Sequence, residues 1–99
     1  MPRLSLRSLA EADLGEAFIW YQQQARGLGF EYLRAVDATF AQIRRTPQLY
    51  PLVYGQARRA LVRRFPYAIY YVVAPDVIHV IACIHTRRHA RRWQSRLDT

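Results

Sequence analysis

The apolar residues of this chain change their spacing once, and that change restricts the fold to a mixed α and β architecture. Between residues 8 and 45 they recur every three or four positions, as on one face of a helix. From Arg59 onward they form short runs rich in aromatic and β-branched residues, which favour strands. Two prolines and a glycine in the segment Pro47–Gly55 predict a loop between the two halves.

The first half predicts a strand followed by a helical hairpin. Residues 2–7 alternate polar and apolar side chains, which is typical of a short strand. The segment Ser8–Glu11 places serine three residues before glutamate, and this spacing predicts a capping box at a helix start. Gly27 predicts the end of that helix, and a second helix is expected over Gly29–Arg45. The apolar stripes of the two helices are Leu14, Phe18, Tyr21 and Ala25, and then Leu33, Val36, Phe40 and Ile43.

The second half predicts three strands and a basic tail. The strands are expected at Arg59–Val62, Tyr67–Val73 and Val77–Ile84, and the last is apolar on both faces, which favours a central position in the sheet. The tail runs from His85 to Arg96. The order β-α-α-β-β-β predicts a single α+β domain over residues 1–99, with a helical hairpin packed on a small, mostly antiparallel sheet.

The charge of the chain is divided between its two halves. Residues 1–43 hold four arginines and five acids, a net charge of −1, whereas residues 44–99 hold eleven arginines and two acids, a net charge of +9. All fifteen basic residues are arginine, whose planar fork binds phosphate or carboxylate. Solubility alone does not require such segregation, so an anionic partner is expected: nucleic acid, an acidic protein, or both.

Several classes of protein and site are disfavoured by the sequence. Cys83 is the single cysteine, so no intramolecular disulfide can form, and its apolar neighbours predict a buried, inert thiol. The N-terminus lacks the apolar run of a signal peptide, and no apolar run approaches the roughly 18 residues of a membrane span. We therefore expect a cytoplasmic protein without a membrane partner. No His, Cys or acidic residues have metal-ligand spacing, and no phosphate-binding loop occurs, so neither a metal nor a cofactor is predicted.

The arginine motifs carry a family resemblance. The segment Arg58–Tyr71, with Arg-Arg-Phe-Pro-Tyr before an apolar strand, resembles the signature of ParE-like plasmid-stabilisation toxins in the RelE/ParE superfamily. Ala82–Arg88 resembles the closing apolar strand, histidine and double arginine of that family, and Trp93 and Arg96 fall where it often has a tryptophan and an arginine. The resemblance extends over nearly the whole chain in the expected order.

The resemblance implies the toxin of a type II toxin–antitoxin system that inhibits DNA gyrase. It also implies a cognate antitoxin, whose acidic C-terminal segment folds on the toxin, and a toxin–antitoxin hetero-oligomer. A groove beside the helical hairpin and a free sheet edge would suit such a segment. Where the family has a proline and a glycine after the double arginine, this chain has Ala90 and Arg91. The residues expected to bind the target are Arg63, Arg64, Arg87, Arg88, Arg91, Arg92, Trp93 and Arg96.

Two alternative functions stay open at this point. The RelE branch of the superfamily cleaves mRNA on the ribosome, which requires a base for the ribose 2′-hydroxyl, an acid for the leaving oxygen and positive charge at the phosphate. The chain has no lysine, and the only acids after the second helix are Asp76 and Asp98, so a non-enzymatic gyrase inhibitor is favoured. The other alternative is a non-toxic basic module that binds nucleic acid. If the chain is a nuclease, its catalytic residues are expected among His85, Arg59, Arg63, Arg87 and Tyr71.

Overall fold

A computed structural model describes residues 2–97, so Asp98 lies outside the described residues. The predicted α+β class is confirmed, with one strand and one short helix more than the sequence indicated. None of the helices in residues 2–97 is long and apolar enough to cross a membrane. The elements are β1 (Arg3–Leu6), α1 (Ser8–Gln24), α2 (Leu28–Arg45), β2 (Leu52–Tyr54), β3 (Ala57–Leu61), β4 (Tyr67–Val73), β5 (Val77–His85) and α3 (Arg91–Gln94).

The five strands form one sheet in the order β1-β5-β4-β3-β2. Strand β1 runs parallel to β5, and every other pair is antiparallel, so the predicted mostly antiparallel sheet and the internal position of β5 are confirmed. The register between β4 and β5 shifts at Tyr70/Tyr71, because Tyr70 pairs with Ala82 and Tyr71 with Val80. Ile81 is therefore the extra residue of a β-bulge.

One face of the sheet is covered by the helical hairpin. An aromatic cluster lies at its centre: the ring of Tyr32 lies 5.1 to 5.4 Å from the rings of Tyr21, Phe65 and Tyr67, measured between centroids. Cys83 is buried beside them, as predicted, with its Sγ 3.3 Å from the Tyr32 hydroxyl. The largest fully buried side chains of this face are Tyr32, Val36, Ile43, Ile69, Tyr71, Ile78, Val80 and Cys83.

The start of α1 differs from the prediction. Ser8 is already helical, Arg7 is the N-cap, and no side chain caps the helix, so the predicted capping box is wrong. The backbone N–H of Arg7 donates to the carbonyl of Val80 at 3.0 Å, so strand pairing continues up to the first helical residue. Tertiary pairing thus sets the helix start in place of a local cap.

The turn between the helices also begins earlier than predicted. Helix α1 ends at Gln24, which leaves Ala25 exposed rather than on the buried stripe. Gly27 does not end α1; it adopts a left-handed φ of +88° just before α2 begins at Leu28. Gly29 packs closely on α1, since a Cβ there would lie 2.8 Å from the carbonyl oxygen of Phe18.

The predicted loop Pro47–Gly55 contains the short edge strand β2, which pairs with β3. Three residues are too few for an alternating pattern, and Leu52 and Tyr54 are both exposed, so the sequence carries no strand signal there. Strand β3 spans Ala57–Leu61 and not Arg59–Val62, because its pairing with β2 and β4 begins at Ala57.

The second face of the sheet is covered by the C-terminal tail. Helix α3 places the Trp93 indole on Tyr70, with ring centroids 4.0 Å apart and planes inclined by 13°. Alanines from three strands underlie this contact, and their small side chains let the indole lie close to the sheet. The alanines are Ala57, Ala68 and Ala82.

Candidate functional site

Two double-arginine motifs, more than twenty positions apart in sequence, meet at one end of the sheet. Arg63 and Arg64 lie in the turn between β3 and β4, and Arg87 and Arg88 lie in the turn after β5. The two turns are joined by a hydrogen bond of 2.9 Å from the N–H of Thr86 to the carbonyl of Pro66. With two further arginines from α3 they form what we call the basic end: Arg63, Arg64, Arg87, Arg88, Arg91 and Arg92.

The two arginines before Phe65 do not occupy a strand. Strand β3 ends at Leu61, and both Arg63 and Arg64 lie exposed in the turn that follows it. Arg64 has a left-handed φ of +73°. Its guanidinium lies 3.3 Å from the Glu31 carboxylate and 6.0 Å from the centre of the Phe65 ring.

The remaining arginines of the basic end face solvent. Within residues 2–97, the side chains of Arg63, Arg87, Arg88, Arg91 and Arg92 make no hydrogen bond and no ion pair. Two histidines shape the backbone that carries them, since His85 Nδ1 accepts the N–H of Arg87 at 3.0 Å and His89 Nδ1 accepts that of Arg91 at 3.1 Å.

The other two predicted target-binding residues anchor the tail. Trp93 is buried on the second face, and Arg96 makes two hydrogen bonds, of 2.7 and 3.1 Å, with the Asp13 carboxylate. The Arg96 side chain is 14% exposed and that of Asp13 is 10% exposed. The Asp13–Arg96 ion pair therefore holds the tail against α1.

The Asp13–Arg96 ion pair also occupies the edge of β5 beyond the end of β1. Asp13 accepts the N–H of Cys83 at 3.0 Å, and Arg96 donates to the carbonyl of Ile81 at 3.0 Å. The two side chains thus form hydrogen bonds with backbone groups of β5 that would otherwise bond to a neighbouring strand. No local sequence signal connects Asp13 to an arginine 83 positions later.

A cleft of about 690 Å³ lies between α1 and the end of β5, and we call it the α1–β5 cleft. Its α1 wall presents Ile19 and Trp20, which are 57% and 53% exposed. Its opposite wall includes Tyr67, and Arg88 and Arg92 of the basic end also line the cleft. Burial raises the pKa of the Tyr67 phenol above its ordinary value, and the nearby Arg88 guanidinium opposes that shift. The cleft therefore combines exposed apolar side chains and the carboxylate of Glu16 on its α1 wall with two arginines of the basic end.

The structure does not bring the predicted nuclease residues together. His85, Arg63 and Arg87 lie at the basic end, but the Tyr71 hydroxyl is buried on the helix-covered face, where it donates to the carbonyl of Pro47 at 2.6 Å. Burial raises the pKa of Tyr71 to about 12. Arg58 pairs with Tyr71 and lies on the same face of the sheet. Because adjacent strand residues point to opposite faces, Arg59 lies on the face opposite to Tyr71.

The geometry of His85 limits its acid–base chemistry. Because Nδ1 accepts the N–H of Arg87, the neutral imidazole carries its proton on Nε2. In that state Nε2 can donate a proton but cannot accept one from a ribose hydroxyl. Nor do any three His, Cys, Asp or Glu side chains of residues 2–97 lie close enough together to hold a metal ion.

Comparison with known proteins identifies the fold. Neither a protein-family model nor a curated protein sequence matches this chain. Among solved structures, it is similar to a chain of the chromosomal ParDE TA system from P. aeruginosa, with a TM-score of 0.65 and 20% sequence identity. The match covers 86% of this chain and 96% of that chain. This protein therefore has a ParE-like fold.

Proposed function

We propose that this chain is the toxin of a type II toxin–antitoxin pair and that it inhibits DNA gyrase in the cytoplasm. The observation that carries the proposal is the basic end, which gathers six arginines on a ParE-like toxin fold. Only Arg64 of these six is paired with an acid of residues 2–97. Such an unneutralised surface favours binding to a large anionic assembly, and enzyme–DNA complexes are of that kind.

Inhibition by binding is better supported than RNA cleavage. The arginines of the basic end can neutralise phosphate charge, but an activated base is also required for attack by the 2′-hydroxyl. The neutral His85 ring carries its proton on Nε2, so this nitrogen cannot accept a proton from the hydroxyl. Tyr71 and Arg59 lie on opposite faces of the sheet. We therefore place the chain among non-enzymatic inhibitors.

The α1–β5 cleft is where we place the cognate antitoxin. An amphipathic acidic segment would pack apolar side chains on Ile19 and Trp20 and direct carboxylates to Arg88 and Arg92. Because these two arginines belong to the basic end as well, an antitoxin bound in the cleft would cover part of the target-binding surface. Neutralisation then follows from competition, and the complex is a toxin–antitoxin hetero-oligomer.

The test is controlled expression in a bacterial host, followed by supercoiling assays with purified gyrase and mRNA-cleavage assays on ribosomes. We expect growth arrest, blocked supercoiling and intact mRNA. The double variant Arg87→Gln/Arg88→Gln should lose inhibition. The control Arg3→Gln/Arg34→Gln, which changes the net charge equally at exposed positions elsewhere, should keep it.

Other outcomes of that test select the alternatives. Cleaved mRNA with unaffected gyrase would replace the proposal by a RelE-like endoribonuclease. Normal growth with no effect in either assay would leave only the non-toxic nucleic-acid-binding module. Co-expression of a neighbouring reading frame with an acidic C-terminal segment should restore growth if the antitoxin assignment is right.

A further inference from the structure

We infer that the basic end binds the sugar–phosphate backbone of duplex DNA directly and without sequence preference. The inference rests on the proposed function for its biological setting, in which the toxin contacts DNA held by its target. The binding itself is a property of the isolated chain and is measured without gyrase.

The basic end carries positive charge that the fold leaves uncompensated. Five arginine side chains of the basic end make no ion pair within residues 2–97, and Glu31 bonds only to the sixth, Arg64. Each guanidinium presents a planar fork that matches two phosphate oxygens, and it stays protonated at every cellular pH. These side chains come from two hydrogen-bonded turns and from α3, and Arg88 and Arg92 line the same cleft.

The backbone that carries these arginines is held in place. The Thr86–Pro66 hydrogen bond joins the two turns, and His85 and His89 each accept a backbone N–H beside an arginine. Trp93 and the Asp13–Arg96 ion pair attach the tail to the rest of the fold. A positioned array loses less conformational entropy on binding than a free basic tail, so its affinity should exceed that of an unfolded arginine-rich peptide.

The burial of the aromatic rings near the basic end favours duplex over single-stranded nucleic acid. Proteins that bind single strands stack bases on exposed aromatic rings. At the basic end Phe65 and Trp93 are buried, and Tyr67 is half-buried against the His85 ring. The exposed Trp20 lies across the cleft on α1, whose exposed Glu16 would repel phosphate.

The basic end lacks a secondary-structure element that could read base edges. Helix α3 has four residues, about one turn, and is too short to serve as a recognition helix in the major groove. The other four arginines lie in turns, where they can contact phosphates along a groove edge. Binding should therefore be independent of sequence and should weaken steeply with salt.

The experiment measures fluorescence anisotropy of two labelled duplexes of unrelated sequence, and of one matching single strand, with the full chain at several salt concentrations. We expect equal affinities for both duplexes, weaker binding of the single strand, and a linear fall of log K with log salt, with a slope of about −0.9 per phosphate neutralised. The double variant Arg87→Gln/Arg91→Gln should make that slope shallower by about two. The control Arg3→Gln/Arg34→Gln should leave it unchanged.

Three outcomes would overturn the inference: equal losses in the two double variants, tighter binding of the single strand, or no duplex binding at all. The last result together with gyrase inhibition would leave the proposed function in place. Duplex binding by a chain that neither arrests growth nor affects gyrase would instead support the inference and contradict the proposed function.

Discussion

The two faces of the sheet are covered by elements of different size. On one face, two long helices bury an aromatic cluster around Tyr32, and the covering chain is continuous with the sheet through β1. On the other, one tryptophan from a four-residue helix lies over three alanines, held by an ion pair at the end of the tail. The first face can thus supply most of the folding free energy, whereas the second depends on a segment that can detach alone. The proposed target-binding surface lies at the end of the sheet, and the tail that covers the second face carries four of its six arginines.

The largest effect should come from the first face. Replacing Tyr32 by alanine removes a fully buried ring and its contacts with three aromatic neighbours, so the free energy of unfolding should fall by about 4 kcal/mol. Tyr32→Phe keeps the ring, loses only the bond to Cys83, and should cost about 1 kcal/mol. Urea unfolding measures both, and a loss under 1.5 kcal/mol for Tyr32→Ala would contradict the contrast between the faces.

The second face should respond locally. Trp93→Ala removes the stack on Tyr70, but the tail can then detach, which limits the loss of unfolding free energy to about 2 kcal/mol. Amide hydrogen exchange should accelerate in α3 and not in α2. The variant Trp93→Phe, which retains a ring on Tyr70, should keep much of the protection. Equal acceleration in both helices would show that the two faces unfold as one unit.

The ion pair that joins the tail to α1 should show energetic coupling. Arg96→Ala leaves the Asp13 carboxylate and the Ile81 carbonyl without this donor, so we expect the free energy of unfolding to fall by about 2 kcal/mol. This loss is smaller than that for a fully buried ion pair because water can reach the site from the cleft. A double-mutant cycle with Asp13→Ala measures the coupling, which should exceed about 1 kcal/mol. If the losses of the two single variants add strictly in the double variant, the Asp13–Arg96 contact contributes no coupling energy.

Alkaline pH should weaken the first face selectively. Burial raises the pKa of Cys83 and of Tyr71 to about 12, above ordinary values of 9.0 and 10.0. The unfolded chain releases protons that the folded chain retains between pH 9 and 12 for Cys83 and between pH 10 and 12 for Tyr71. Over its own range each group should lower the stability by about 1.4 kcal/mol per pH unit as the pH rises. Urea titrations from neutral to alkaline pH measure the slope. Cys83→Ala should remove the fall in stability between pH 9 and 10. If the slope in that range is unchanged, groups other than Cys83 cause the fall.

The smallest effect should come from the turn at the basic end. Arg64→Gly relieves a left-handed φ of +73°, and the exposed bridge to Glu31 that it removes contributes little, so stability should rise by about 0.5 kcal/mol. Arg63→Gly is the matched control: its φ is not positive, and added backbone freedom should lower stability by about the same amount. Equal signs for the two variants would show that the φ of Arg64 carries no strain.

The sequence predicted what local physical chemistry controls. The helical spacing of residues 8–45 and the β-branched and aromatic runs from residue 59 onward were sufficient for the hairpin, the strands β4 and β5, and the α+β class. Element boundaries were less predictable, since Arg7 starts α1 through a bond to Val80 and β2 exists only by pairing with β3. Those boundaries depend on residues distant in sequence, which a local pattern cannot include.

Of the site, composition and motifs determined the chemistry, and tertiary structure determined the arrangement. The sequence by itself established the arginine-rich half, the absence of lysine and the buried thiol of Cys83. Only the fold brought the turns around Arg63 and Arg87 to one end, turned Trp93 onto Tyr70 and paired Asp13 with Arg96. Periodicity decides which face a residue occupies within its own element, whereas sheet order, register and the bulge at Ile81 decide which distant residues meet.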